Sequence, residues 1–131
     1  MGDPDQGVAA LLDDLADSGL LDDTLVIMLG EFGRSPKIKV QRADRSPGRD
    51  HWGSCFFGLF AGGGVRGGQV IGKSDKLGAA PLTKPYSAND VGATVYQVLG
   101  IDPGSEIRDR FGRPMRLNQG AAIEPLFTGH A

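Results

Sequence analysis

The sequence predicts an α/β fold. Three observations carry that reading. An apolar stripe at helical spacing runs from Val8 to Leu15, an apolar run without alternation follows at Leu25–Leu29, and a second helical stripe opens after Ser87. The length of 131 residues suits one domain, and 40% apolar with 23% charged residues fits a globular chain rather than a disordered one. Glycine departs from the average: a usage of roughly 7% gives about nine in this length, and the chain has 21. With eight prolines added, much of the chain must be turn and loop.

The elements follow in order. Val8, Leu11, Leu12 and Leu15 recur at i, i+3, i+4 and i+7, with Asp13, Asp14 and Asp17 on the wet face, so a helix is expected over 6–18. Gly19 stands where a left-handed residue ends such a helix. Leu25–Leu29 reads as a strand buried on both faces, as at the centre of an α/β sheet. From Gly30 to Ser54 the chain is polar and irregular. Phe56–Ala61 reads as a second strand closed by Gly62–Gly64, Gln69–Ile71 as a short third one, and 72–86 as loop. Ser87 with Asp90 three residues on is a capping pattern. Val91, Val95, Val98 and Leu99 then form one face, and Gly100 ends it. Asp109–Pro114 looks like a turn, and Ile123–Phe127 like a docking tail. No internal repeat is visible.

Several function classes drop out. A net charge of −2 gives no general attraction to nucleic acid, so no nucleic-acid partner is expected. No apolar run approaches 18 residues, so no transmembrane segment is expected, and the start lacks the basic and apolar regions of a signal peptide. The single cysteine, Cys55, lies in an apolar run and reads as a buried, inert thiol. Gly67–Ser74 matches a phosphate-loop pattern letter for letter. Such a loop needs a helix opening at Lys73-Ser74, and Asp-Lys-Leu-Gly-Ala-Ala-Pro makes a poor one, so nucleotide binding is the weakest of the readings. Gly62–Gly67 matches a dinucleotide pattern but opens no helix and has no acidic residue about 20 positions on.

The chemistry-bearing residues cluster between the first two strands. Glu31 follows the carboxyl end of the first strand, where α/β sheets bind ligands, between two glycines that let the backbone approach closely. A carboxylate there suits a metal ion, and Arg34 suits phosphate or sulfate. Arg49, Asp50 and His51 stand just before the second strand, and His51 is a candidate metal ligand or acid/base group. The linker holds no crossover helix, so the second strand is expected antiparallel to the first. That pairing puts Glu31 and His51 at one sheet edge. The plainer reading stays open beside it: Arg34, Lys37, Lys39, Arg42, Arg45 and Arg49 are equally a solvated basic loop.

The order of these pieces resembles the C-terminal part of the bacterial family called domain of unknown function 1501. The resemblance rests on four stretches: Thr24–Lys37, Gly48–Trp52, Phe60–Gly72 and Asn89–Asp102. That family looks like a branch of the sulfatase and alkaline phosphatase superfamily. The resemblance implies a three-layer fold with a mixed sheet between helices, of which residues 1–131 would be a single incomplete, C-terminal portion. It implies a divalent metal held in part by Glu31 and His51, and an anionic ester held by Arg34, Arg49 and Asp50. Phe32 stands where the superfamily has a second ligand, His or Asn. The superfamily's nucleophile belongs to an N-terminal half, so a piece of a metal-dependent hydrolase, inactive alone, is expected. A non-catalytic binding or assembly module, self-associating through an exposed sheet edge, is the alternative. No export signal is read in this chain, although members of the resembled family often carry one.

Overall fold

The structure is a computed structural model that describes residues 3–40 and 47–129. It is α/β, with three helices and three small two-stranded sheets among the described residues. The order is α1 (Asp3–Asp17), β1 (Val26–Leu29), β2 (Gly33–Lys39), β3 (Gly48–Trp52), β4 (Gly58–Ala61), α2 (Ala88–Val98), β5 (Glu106–Arg108), β6 (Pro114–Arg116) and α3 (Pro125–Thr128). No described helix is long and apolar enough to cross a membrane. The described strands pair two by two, β1 with β4, β2 with β3 and β5 with β6, so they do not form the larger mixed sheet that the resemblance implies. The chain divides into two compact units.

The first unit takes the chain up to Val26, Phe60–Gln69 and the chain from Tyr86 on. Its centre is α2. Ser87 and Asp90 form a reciprocal capping box, Ser87 Oγ accepting from the Asp90 amide and the Asp90 carboxylate accepting from the Ser87 amide at 2.7 Å. Ala93 and Thr94 are fully buried, and Ile123 and Leu126 pack as the other buried residues of this unit. The buried Thr94 hydroxyl is satisfied on both sides: it donates to the Asp90 carbonyl at 2.7 Å and accepts the Ile123 amide at 2.9 Å. The tail therefore docks where its apolar pattern suggests. The turn after β4 holds it from outside. Arg66 donates to the Thr128 carbonyl, and the Gln69 amide reaches the carbonyls of Pro125 and Leu126.

β1 pairs with β4. The Gly63 amide donates to the Leu21 carbonyl at 3.0 Å, so the chain leaving β4 lies beside the chain entering β1. Gly62, at φ +69°, sits against the Leu21 and Thr24 carbonyls with no room for a Cβ. At the other end of these strands, Gly33 lies equally tight against Cys55. Ends meeting in this crossed way are those of an antiparallel pair, as the linker without a crossover helix predicts. The strand is less buried than its composition suggests: Met28 and Leu29 are exposed, because among the described residues β1 has one strand neighbour rather than two. Val70, expected in a short strand, lies outside any strand and is exposed.

The second unit takes Ile27–Leu59 and Val70–Pro85. The segment read as an irregular linker contains a hairpin. β2 and β3 run antiparallel with Gly33 opposite Trp52, Arg34 opposite His51, Ile38 opposite Arg49 and Lys39 opposite Gly48. The register shifts between Arg34 and Ile38. Pro36 sits in that bulge, where its missing N–H breaks no ladder bond. Trp52 Nε1 donates to the Ala79 carbonyl at 2.7 Å, fixing β3 against the loop of residues 73–83. Asp75 shapes that loop by accepting the Leu77 and Ala79 amides. No helix opens at Lys73-Ser74, and Ser74 instead bridges to Pro81, so the phosphate-loop match has no anion cradle. Cys55 is half-buried rather than buried.

Candidate functional site

The β2–β3 hairpin gathers most of the residues that the sequence singles out. Arg34 and His51 are register partners, and Arg49 lies two residues from His51, so all three project from the same face of the pleat. Phe32 enters from the segment before β2 and stacks on the His51 ring, with centroids 3.7 Å apart and planes at 25°. The Arg34 guanidinium lies 5.5 Å from the centre of the same Phe32 ring and donates to the Arg49 carbonyl at 3.4 Å. One aromatic ring thus holds both the imidazole and the guanidinium. An open depression of about 450 Å³ results, lined by Arg34, Arg49, Asp50 and His51. Asp50 faces the other side of the strand enough to bind Lys39, Nζ to Oδ2 at 2.8 Å, in an exposed ion pair.

Phe32 is the residue whose role the sequence leaves unread. It is conspicuous there only as the absence of a second ligand; in the structure it is the platform under His51 and Arg34. A signal for the hairpin exists in Lys37-Ile38-Lys39-Val40, whose strict alternation is that of a strand. Arg42 and Arg45, in the basic cluster, and His130, the second histidine, lie outside the described residues.

Glu31 is exposed and makes no hydrogen bond or ion pair among the described residues. It directly precedes Phe32, at the end of the hairpin where His51 is stacked. A carboxylate and an imidazole are two donors. A structural zinc takes four and calcium six to eight, and no group of three or more His, Cys, Asp or Glu suited to a metal exists among the described residues. These residues do not by themselves complete a metal site. What the arrangement does supply is donors: two guanidinium groups and an imidazole line one open surface, chemistry of the kind that suits an anion. None of the lining residues is a Ser, Thr or Cys nucleophile.

Comparison with known proteins gives one family. The family model described as protein of unknown function (DUF1501) matches residues 1–127. No curated protein matches, and no solved structure matches.

Proposed function

This chain belongs to the DUF1501 family of proteins of unknown function, and from that premise we propose that its β2–β3 hairpin is the anion-holding face of a sulfatase- or phosphatase-like ester hydrolase. The observation that supports this reading is the convergence of Arg34, Arg49 and His51 on one depression, with Phe32 beneath. Arg34 is already oriented by Phe32 and the Arg49 carbonyl, so little side-chain freedom is lost when a phosphate or sulfate oxygen arrives. Arg49 supplies the second guanidinium, and His51 adds a ring N–H donor. A divalent metal, when bound in such hydrolases, stabilises charge on the transferring group. Glu31 and His51 are the residues that would contribute donors to it, and two donors alone do not complete its coordination.

On this reading the chain binds the anion without turning it over, since the depression holds no nucleophile. The test is a two-dimensional NMR titration of the chain with inorganic phosphate and sulfate. Binding is expected at Arg34, Arg49 and His51 with Kd of about 1–10 mM, and each Arg→Ala substitution should weaken it about tenfold. Shifts spread over all Lys and Arg residues, untouched by those substitutions, would defeat the proposal. So would robust hydrolysis of an aryl phosphate or sulfate that vanishes in both Glu31→Ala and His51→Ala, against the expectation of binding alone.

A further inference from the structure

We propose that the β5–β6 hairpin of one copy of this chain docks on helix α1 of a second copy. The hairpin tip is built as a rigid cationic wedge. Asp109 accepts the Phe111 and Arg113 amides and pairs with the Arg113 side chain at 2.7 Å, while Arg108 donates to the Gly112 carbonyl. Phe111 stands out from this frame, 67% exposed, between the guanidinium of Arg110 at 4.6 Å and that of Arg113 at 5.5 Å. Arg108 and Arg113 answer Glu106 and Asp109. The Arg110 and Arg116 side chains make no hydrogen bond or ion pair among the described residues. A preorganised tip of exposed aromatic and arginine side chains is the composition of an interface hot spot.

The occupant is identified by charge. No Lys or Arg occurs before Arg34, whereas eight of the sixteen acidic residues do. In α1, Asp13, Asp14 and Asp17 lie on the exposed face of the last two turns, without an ion pair among the described residues and with no basic residue in the last turn. Carboxylates there oppose the helix dipole, and Asp13 repels Asp17 one turn on. A guanidinium from outside relieves both. Leu11 and Leu20 are exposed beside these acids, 48% and 55%, and offer apolar surface for Phe111. Each copy carries both patches, so the contact can be made twice in a two-fold pair or once per copy in a ring or chain.

The test is sedimentation velocity of the 131-residue chain across protein concentration and salt. Species beyond the monomer are expected to grow with concentration at 0.1 M salt and to vanish at 1 M, as the Debye length falls from about 10 to about 3 Å. Arg110→Glu/Arg116→Glu and Asp13→Lys/Asp17→Lys, all on exposed positions, should each be monomeric, with unchanged circular dichroism. Mixed together, they should associate again, because an acidic hairpin then meets a basic helix. A monomeric wild-type chain at low salt, association that survives either charge reversal, or no recovery on mixing would each overturn the proposal. Capture of the hairpin by anionic vesicles or single-stranded DNA, with no self-association, would also count against it.

Discussion

Replacing Thr94 by valine keeps the volume of a fully buried side chain and removes only its hydroxyl. Two bonds go with it. The Asp90 carbonyl retains its place in the helical ladder of α2, so losing the 2.7 Å bond from Thr94 costs little. The Ile123 amide has no such reserve. It donates to Thr94 Oγ1 at 2.9 Å and, with Ile123 5% exposed, has little access to water. A buried donor left unpaired costs about 1–3 kcal/mol, so the substitution should destabilise the first unit by about 2–3 kcal/mol. For a cooperative unit of this size, each kcal/mol lowers Tm by about 4–8 °C, which places the expected drop near 15 °C. Thermal melts followed by circular dichroism measure it, and amide exchange at Ile123 locates it. Thr94→Ser keeps the hydroxyl and loses one methyl, so it should cost about 1 kcal/mol and fall between the wild type and Thr94→Val. A valine variant that melts with the wild type, or a serine variant that melts below the valine variant, would refute the reasoning.

Two further outcomes are expected. Gly33→Ala places a Cβ on the Cys55 carbonyl, which cannot give way as a flexible side chain does. It should loosen the β2–β3 hairpin and weaken phosphate binding at Arg34 and His51 together, read by NMR in one titration. Asp109 is held below the usual carboxylate value by the Arg113 amide, the Arg113 guanidinium and the Phe111 amide. A depressed carboxylate contributes stability that is present above its unfolded value, 3.8, and is lost as pH falls through its lower folded value. The amide resonances of Phe111 and Arg113 should therefore hold steady down to that region and move only below it, whereas in Asp109→Asn they should not titrate there at all.

Local signals were the legible ones. The Ser87–Asp90 box, the Gly19 and Gly100 stops and the Asp109 turn are each set by residues within four positions, and all appear as the spacing predicts. The antiparallel relation of β1 and β4 was also readable, because a linker without a helix leaves few other routes. The burial of β1 was not: an apolar run states what a strand would bury if neighbours were there, and among the described residues only β4 adjoins it. The β2–β3 hairpin was hidden by a basic, proline-interrupted segment whose alternation lasts four residues. Arg34, Arg49, Asp50 and His51 could be named from the chain, yet their convergence depends on the pairing of Arg34 with His51 in the hairpin, a register that spacing alone does not reveal.

The grip of Arg66 and Gln69 on α3 bears on how the chain folds. These bonds join residues 56 to 62 positions apart, and Gly63 reaches back a further 42 to Leu21. Such contacts confer nothing until both ends of a long loop have met, and the entropy of that closure must be met first. Helix α2 can form early from its own cap, but the Thr94 hydroxyl and the Gly62–Gln69 turn wait for residues 123–128. During synthesis the first unit therefore stays open until those residues have left the ribosome. A refolding rate limited by this late docking should slow when Gln69 is replaced by alanine and stay unchanged when Ser35, in the other unit, is replaced instead.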